Sequence, residues 1–360
     1  MIHPPRCGEQ LPASGPCANG SIEKVPTDKP RILVTGGAGY IGSHTVLELL
    51  DAGYDVVVAD NLSRGHAELV DPARLRVVDM LDTDGLAGVL SERPCQAVIH
   101  FAALIAVGES MKIPETYFLN NTAGSLSLLT AMLRTGVRNI VFSSTAAVYG
   151  MPKRVPIPET DPYEPVSAYG ESKVMVEKLL RWFDEIHGVR SACLRYFNAA
   201  GADPKGRTGE EHEPETHLIP LLFRAIQTGQ PLTLFGEDYP TPDGTCIRDY
   251  IHVTDLARAH IAAVEALAAG APSSHYNVGT GRGFSVKEVL QAVERVTGSK
   301  VPHRIGPRRD GDPPELVADS SRLRSVLGWK PEYSSLDTII ETAWSWANRE
   351  RVLACNQDAR

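Results

Sequence analysis

Residues 32–42 read Ile-Leu-Val-Thr-Gly-Gly-Ala-Gly-Tyr-Ile-Gly. The apolar run at 32–35 predicts a buried strand, and Gly36, Gly39 and Gly42 then give the spacing G-x-x-G-x-x-G at a strand-to-helix turn. Glycines there permit a tight turn and let a pyrophosphate approach the backbone, while the N-terminus of the following helix offers free N–H donors. This stretch predicts a dinucleotide-binding loop.

The second predicted strand, at 56–59, is followed at once by an acidic residue. Asp60 comes 18 residues after Gly42, where a carboxylate bonds the 2′-hydroxyl of the adenine ribose in this type of fold. A carboxylate in that place also repels a 2′-phosphate. Asp60 therefore favours NAD over NADP as the cofactor.

Strands and helices alternate from residue 31 to residue 198, which indicates βαβ units and a parallel sheet. Further strands are predicted at 75–78, 97–101, 139–143 and 191–196, and helices at 40–52, 114–135, 168–187, 285–297, 320–327 and 336–349. The predicted fold class is α/β: a doubly wound parallel sheet of the Rossmann type, then a smaller C-terminal α/β substrate lobe at 199–350. Residues 245–268 are predicted to form one more strand and helix. These two elements belong either to that lobe or to the main sheet.

The composition is that of an ordinary globular protein, with 42% hydrophobic and 22% charged residues and a net charge of -8. No stretch approaches the roughly 20 apolar residues of a membrane span, and no basic run would follow a nucleic-acid backbone. We therefore predict neither a membrane nor a nucleic acid as partner.

Six scattered cysteines without a C-x-x-C pair indicate reduced thiols and a cytoplasmic location. Residues 1–30 read as a flexible tail and 351–360 as a C-terminal tail.

The pattern Tyr-x-x-x-Lys occurs twice, at Tyr149…Lys153 and at Tyr169…Lys173. The first contains Gly and Pro, which break a helix. The second opens a long amphipathic segment and places its two side chains one turn apart on one face. A phenol with a pKa near ~10 is a poor base at neutral pH, but a neighbouring cation and a charged nicotinamide would lower that pKa. Tyr169 is thus the predicted base, acting on a hydroxyl group as hydride leaves the same carbon.

Longer segments extend this pattern across the chain, at 34–44, 60–63, 100–103, 107–110, 142–145, 148–150, 194–198, 238–240, 248–252 and 307–312. On these segments the chain, from about residue 31 to residue 346, resembles the UDP-glucose 4-epimerases of the extended short-chain dehydrogenase/reductase superfamily. The resemblance implies bound NAD, a UDP-sugar substrate and a homodimer formed through the helices at 114–135 and 168–187.

The resemblance also implies individual roles. Besides the three glycines, the implied NAD-binding residues are Tyr40, Ile41, Asp60, Asn61, Asp79, Met80, Phe101, Ala102, Asn120, Lys173 and Phe197. The implied UDP-sugar-binding residues are Asn198, His217, Leu218, Thr233, Phe235, Arg248, Arg309, Asp312 and Leu316, with Thr145 and Tyr169 at the sugar O4. Arginine suits this role on physical grounds as well, because its planar guanidinium matches phosphate oxygens.

The implied reaction is an epimerisation of UDP-glucose and UDP-galactose. Tyr169 takes the C4-hydroxyl proton as hydride moves to NAD, the 4-keto sugar turns, and both return on the other face. Sugar 4,6-dehydratases are similar but place an Asp-Glu pair directly after the Thr; here Ala146 and Ala147 follow Thr145, and the glutamate of UDP-glucuronate decarboxylases is missing as well. Without those acids, epimerisation remains.

Other sugars and another class of protein stay open. Ile105 stands where many relatives carry a lysine, a variant similar to UDP-xylose (UDP-arabinose) 4-epimerases. Leu316 stands at a position where some relatives have a bulky Tyr, which excludes N-acetyl sugars, and others a Cys, which admits them. Leucine is intermediate in size, so the use of N-acetyl sugars stays open. A non-catalytic NAD- or UDP-sugar-binding regulator is the alternative outside enzymes; the presence of Tyr169 and Lys173 disfavours it.

Residues 210–217 read Glu-Glu-His-Glu-Pro-Glu-Thr-His. Because no fixed helical spacing aligns these side chains, they are interpreted as a solvated acidic loop, and no metal site is predicted.

Overall fold

The computed structural model describes residues 29–309 and 311–349. The predicted tails therefore lie almost wholly outside the described residues. In chain order the strands are β1 (Arg31–Thr35), β2 (Asp55–Asp60), β3 (Leu75–Val77), β4 (Cys95–His100), β5 (Asn139–Thr145), β6 (Arg190–Tyr196), β7 (Asn198–Ala200), β8 (Leu232–Phe235), β9 (Ile247–His252), β10 (Ser274–Val278), β11 (Gly283–Ser285), β12 (His303–Gly306) and β13 (Glu315–Leu316).

The helices begin with α1 (Tyr40–Asp51), α2 (Thr83–Ser91), α3 (Val107–Ser110), α4 (Pro114–Tyr117), a π-helical segment (Phe118–Ala123) and α5 (Gly124–Thr135). They continue with α6 (Ala168–His187), α7 (Leu218–Thr228), α8 (Val253–Ala268), α9 (Val286–Thr297), α10 (Ser321–Leu327) and α11 (Leu336–Ala347). In the described ranges, no helix combines the length and the apolar character that crossing a bilayer requires.

Seven parallel strands form the main sheet, in the order β10-β6-β5-β4-β1-β2-β3. Its strands are buried on both faces, as the apolar run of β1 requires: Ile32 and Val34 pack with α1 and α8, and Leu33 packs with α2, α5 and α6. The strand order reverses between β1 and β4, so a crevice opens at their carboxyl ends. The predicted doubly wound parallel sheet is confirmed.

The six strands predicted before residue 198 all lie in this sheet, with ends shifted by one or two residues. Its seventh strand, β10, comes from the part of the chain that the sequence assigns to the second lobe. Its sequence, Ser-His-Tyr-Asn-Val, contains three polar residues in five and does not read as a doubly buried strand. The division of the chain at residue 198 stays a prediction.

The segment 245–268 divides between the two parts of the molecule. Its helix, α8, covers the main sheet through Leu256, Ala259 and Val264. Its strand, β9, instead pairs with β7, β11 and β13 in a second sheet. That sheet and the pair β8-β12 share a core with α7, α9 and α11, so the chain crosses between the two regions several times.

Candidate active site

The glycine loop lies against the end of β4, where only glycine fits. Gly36 has a φ of +68°, and a Cβ there would lie 2.5 Å from the backbone nitrogen of Ala102. A Cβ at Gly42 would lie 2.1 Å from the carbonyl oxygen of Gly36. Gly39 caps α1 through its backbone and has no such close contact. The loop is therefore a backbone cradle facing the crevice.

Asp60 is held in place at the end of β2. Its carboxylate accepts hydrogen bonds from the backbone N–H groups of Ala38 (3.0 Å) and Leu62 (2.9 Å). Next to it, the Asn61 amide donates to the Asp79 carboxylate at 2.8 Å. A fixed carboxylate beside a glycine cradle fits the adenine ribose and pyrophosphate of a dinucleotide.

The predicted helix at 114–135 contains a π-helical turn, which ties two parts of the site together. Asn121 in that turn accepts from the Leu104 N–H (2.8 Å) and donates to the Leu104 carbonyl (3.0 Å) and to the Ser172 hydroxyl (3.0 Å). The loop after β4, which carries Phe101 and Ala102, is thereby fixed to α6. Asn120, the predicted contact, donates to Asn121 itself at 2.9 Å.

Tyr169, Lys173 and Thr145 come together at the carboxyl end of β5. The helix α6 starts one residue before Tyr169, where the Ser167 hydroxyl accepts from the Gly170 N–H at 3.1 Å. Lys173 Nζ lies 5.9 Å from the centroid of the Tyr169 ring, and Thr145 is close enough to Tyr169 to lower the pKa of its phenol. All three side chains are more than nine-tenths buried.

Burial dominates the electrostatics of this group. It raises the pKa of Tyr169 to about 12, against the hydrogen bond from Thr145, which lowers it. It lowers the pKa of Lys173 to about 7, while Glu177 acts in the opposite direction. For the protein groups alone, desolvation therefore sets the direction of the pKa shift at Tyr169. The predicted lowering of this pKa by Lys173 together with a charged nicotinamide stays a prediction.

The other Tyr-x-x-x-Lys match has a different structure, as predicted from its Gly and Pro. Tyr149 is buried and donates to Asn277 Oδ1 at 2.7 Å. Lys153 is exposed and pairs with Glu164 at 3.0 Å. The two side chains share no helix face.

A buried ion pair that the sequence analysis missed lies directly behind Lys173. Arg195 Nη2 is 2.6 Å from Glu177 Oε2, and both side chains are at most 2% exposed. Glu177 also accepts from the Ser144 hydroxyl at 2.5 Å, and Arg195 donates to the Tyr149 hydroxyl at 2.8 Å. The pair thus joins β5, β6 and α6 beside the site. The sequence did contain a signal for this ion pair. Arg195 lies inside a strand predicted to be buried, and a buried arginine needs a partner of opposite charge.

Several predicted substrate residues meet at the second sheet. Arg248 on β9 binds Asp312 at 2.5 Å and lies beside Leu316 in the pairing of β9 with β13. Asn198 on β7 donates to the Asp249 carbonyl at 3.2 Å. These contacts bring four predicted substrate-binding residues together around β9, namely Asn198, Arg248, Asp312 and Leu316.

Two further predicted residues lie on β8. Arg309 stacks 4.3 Å above the ring of Phe235, and its carbonyl accepts from the Asp312 N–H at 3.4 Å. The Thr233 hydroxyl accepts from Arg304 at 2.9 Å. The two sets of residues are therefore connected through Asp312. Binding of a pyrophosphate by Arg248 and Arg309 stays a prediction.

The remaining predicted residues have simpler places. Met80 and Tyr40 are buried, and the Tyr40 hydroxyl donates to the Gly201 carbonyl at 2.7 Å. Ile41 packs on the main core, Leu218 begins α7, and Phe197 packs with Leu316 on a small cluster that contains Ala146.

His217 is turned into an acidic cluster. Its Nδ1 lies 2.7 Å from Glu210 Oε1 and 3.2 Å from Glu215 Oε1. Burial would lower the pKa of His217, yet its hydrogen bonds to Glu210 and Glu215 outweigh burial and raise it to about 10. In the same way the pKa of His212 rises to about 9. Glu213, Pro214, Thr216 and His217 are exposed, as expected of a solvated loop, whereas Glu210, His212 and Glu215 are partly buried and lie close to one another.

These features have counterparts in known proteins. The model of the NAD dependent epimerase/dehydratase family matches residues 32–279. The chain belongs to this family. A UDP-glucose 4-epimerase of Lacticaseibacillus casei is 54% identical over 317 residues, which are 88% of this chain and 96% of that protein. NAD is accordingly the cofactor of this enzyme, and the residues at the crevice fit it.

Solved structures show the same family likeness. UDP-glucose 4-epimerase from Brucella ovis in complex with NAD has a TM-score of 0.86 and 47% identity, covering 88% of this chain and 98% of its own. A UDP-glucose 4-epimerase from Stenotrophomonas maltophila, with bound NAD and formylated UDP-arabinopyranose, has a TM-score of 0.87 and 40% identity. The match covers 90% of this chain and 99% of that one.

The variant Gly42→Ala tests the glycine cradle. Its Cβ would clash with the backbone of Gly36 and Gly37, so we expect the free energy of unfolding to fall by about 1–3 kcal/mol and the purified protein to lose its NAD. Urea unfolding and the NAD content of the protein measure the two effects. Gly88→Ala is the control, because no atom lies within 4 Å of its Cβ and α2 gains helix propensity. Equal NAD content in both variants would contradict the prediction.

Proposed function

We propose that this enzyme interconverts UDP-glucose and its 4-epimer UDP-galactose, with Tyr169 and Thr145 at the sugar O4. The observation that carries the proposal is the meeting of Thr145, Tyr169 and Lys173, all buried, at the end of β5. A hydroxyl group that enters between them meets a proton acceptor and a proton relay.

The protein groups have distinct tasks. Tyr169 accepts the proton of the C4 hydroxyl and later returns it, with Thr145 bridging the phenol and the sugar oxygen. Lys173 donates to the Ser143 carbonyl at 2.9 Å, which fixes its ammonium group beneath the Tyr169 ring. NAD, when bound, supplies the hydride acceptor and a positive charge that favours the Tyr169 phenolate. That charge is needed, because burial alone leaves the phenol with a pKa of about 12.

Two alanines support epimerisation over loss of water. Ala146 and Ala147 follow Thr145 in a 3-10 turn and have no group that could protonate a leaving hydroxyl. The sugar must instead turn over while its nucleotide stays bound. Arg248 on β9 pairs with Asp312, and the Asp312 N–H donates to the Arg309 carbonyl. In this proposal these three residues hold the UDP while the sugar moves.

The choice of sugar depends on the side chains next to Thr145. Leu316 and Phe197 both pack against the small cluster that contains Ala146, which supports a role for Leu316 in limiting the space around the sugar. Ile105, which stands where many relatives have lysine, is 46% exposed. UDP-xylose/UDP-arabinose and UDP-N-acetylglucosamine remain alternative substrates, and a panel of the three 4-epimer pairs decides among them by relative kcat/KM.

The variant Tyr169→Phe tests the reaction. Purified protein mixed with UDP-galactose is expected to form UDP-glucose, and removal of the phenol is expected to lower kcat at least about 100-fold while NAD stays bound. A coupled assay for UDP-glucose and the NAD content of each protein are the measurements. A wild-type protein that holds NAD but gives no product would instead support the binding regulator, and an active Tyr169→Phe would refute Tyr169 as the base.

The variant Thr145→Val tests the proton path through its pH dependence. The Thr145 hydrogen bond lowers the pKa of Tyr169, so its loss raises that pKa and moves the rise of kcat to higher pH. At neutral pH we expect kcat to fall roughly 100-fold, with a smaller loss in alkaline solution. Thr145→Ser keeps the hydroxyl and is the matched control. Parallel pH profiles for the wild type and Thr145→Val would rule out this role.

We also infer that the enzyme is a homodimer. Large apolar side chains are exposed on the π-helical segment, α5 and α6, namely Leu119 (56%), Leu126 (43%), Met175 (39%), Trp182 (51%) and Ile186 (66%). α5 and α6 contact each other, so these side chains share one side of the main sheet. Apolar surface of this kind is typical of a protein interface.

Leu126→Glu tests the dimer. A buried glutamate on each side of the interface would repel its copy and lose hydration, so we expect the variant to sediment as a monomer while the wild type sediments at twice 39.0 kDa. Val326→Glu, at an equally apolar and exposed position on α10, is the control. A wild-type monomer would overturn the proposal.

We further infer a cytoplasmic location. Within the described ranges Cys95, Cys193 and Cys246 are free thiols, as is usual in a reducing compartment. The other three cysteines, Cys7, Cys17 and Cys355, lie outside the described residues.

A further inference from the structure

The acidic cluster at the start of α7 has the donor set of a metal site. The side chains of Glu210, His212, Glu215 and His217 each offer one ligand atom, and those atoms all lie within 4.8 Å of one another. Two imidazole nitrogens and two carboxylate oxygens form the set. In the sequence the four residues have no helical spacing; the loop, not a helix, brings them together.

The distances within the cluster match those between ligands of one ion. His212 Nδ1 lies 3.1 Å from Glu210 Oε1 and 3.7 Å from Glu215 Oε2. His217 Nδ1 lies 2.7 Å from Glu210 Oε1 and 3.2 Å from Glu215 Oε1. In a tetrahedral zinc site with bonds of about 2.0 Å, neighbouring ligand atoms are about 3.3 Å apart. The observed values lie on both sides of that length.

We propose that Glu210, His212, Glu215 and His217 form a structural site for a divalent transition-metal ion, with Zn²⁺ as the best match. Four protein ligands would complete a tetrahedral shell, which is typical of structural and not of catalytic zinc. Imidazole and carboxylate together suit Zn²⁺, whereas Mg²⁺ and Ca²⁺ prefer oxygen alone.

Ion pairs between protonated histidines and the glutamates are the competing interpretation of the same distances. In that interpretation both rings, whose centroids are 5.0 Å apart, are positive. In the metal site, a single divalent ion supplies the same total charge to the two glutamates. The zinc titration described below distinguishes the two interpretations.

The site would join the two regions of the molecule. The ring of His212 lies edge-on to Tyr40 of α1, with centroids 6.0 Å apart, while His217 immediately precedes α7. Between them, the Glu213 carbonyl accepts from Arg64 at 3.2 Å. An ion held here fixes the loop between the glycine cradle and the start of α7, so its effect is on stability.

The experiment uses the full chain without a histidine tag. After dialysis against a chelator, Zn²⁺ is titrated in competition with a chromogenic chelator. We expect one ion per chain, and an affinity at least about 100-fold weaker in His212→Ala and in Glu210→Gln, since loss even of outer-shell partners costs 10–100-fold. His303→Ala, which removes an exposed histidine on β12, is the matched control and should bind as the wild type does.

Two further measurements guard against variants that fail to fold. Zn²⁺ should raise the Tm of the wild type and of His303→Ala but not that of His212→Ala. Crystals of the zinc-loaded wild type should show an anomalous peak at the zinc edge, bonded to all four side chains. No stoichiometric binding by the wild type, full binding by His212→Ala, or a peak at the separate group of His66, Glu68 and Glu211 would overturn the proposal.

Discussion

The close approach of β1 to the end of β4 is the constraint on which the site depends. Gly36 lies so near the backbone of Ala102 that any side chain would separate the two strands' ends. This contact sets the position of the glycine cradle, and with it the entry of α1. The loop after β4 is fixed in turn by Asn121, which also reaches α6 through Ser172. The cofactor crevice and the helix that carries Tyr169 are thus positioned by one connected set of contacts.

The reactive group works in surroundings that oppose charge. Lys173 has a carbonyl and two aromatic rings around it, and Tyr169 is equally buried. Behind the site, the positive charge of Arg195 neutralises the negative charge of Glu177. Ionisation of the phenol therefore depends on what is bound in the crevice, which couples the chemistry to a loaded cofactor. In the proposed reaction, this dependence keeps Tyr169 from acting as the base until the cofactor is in place.

Local patterns were sufficient to predict the parallel sheet, the glycine loop and the meeting of Tyr169 with Lys173, since each depends on residues within one strand-helix unit. The strand β10 was not predictable in this way, because the polar side chain of Asn277 is satisfied by distant groups, among them Tyr149 and the Ile157 carbonyl. The convergence of Glu210 with His217 was missed for a similar reason: it depends on the path of a loop, which has no periodicity. The sign of the pKa shift at Tyr169 depended on burial, a property of the whole fold.

The strand β10 also affects how the protein can fold. It pairs with β6 at the edge of the main sheet, yet it is made only after residues 197–273. During synthesis on the ribosome, β6 would remain an open edge through that whole interval, and unpaired edges readily join other chains. The sheet therefore cannot be finished by the N-terminal part of the chain alone. The nascent protein must keep this edge soluble until α8 and β10 emerge to close it.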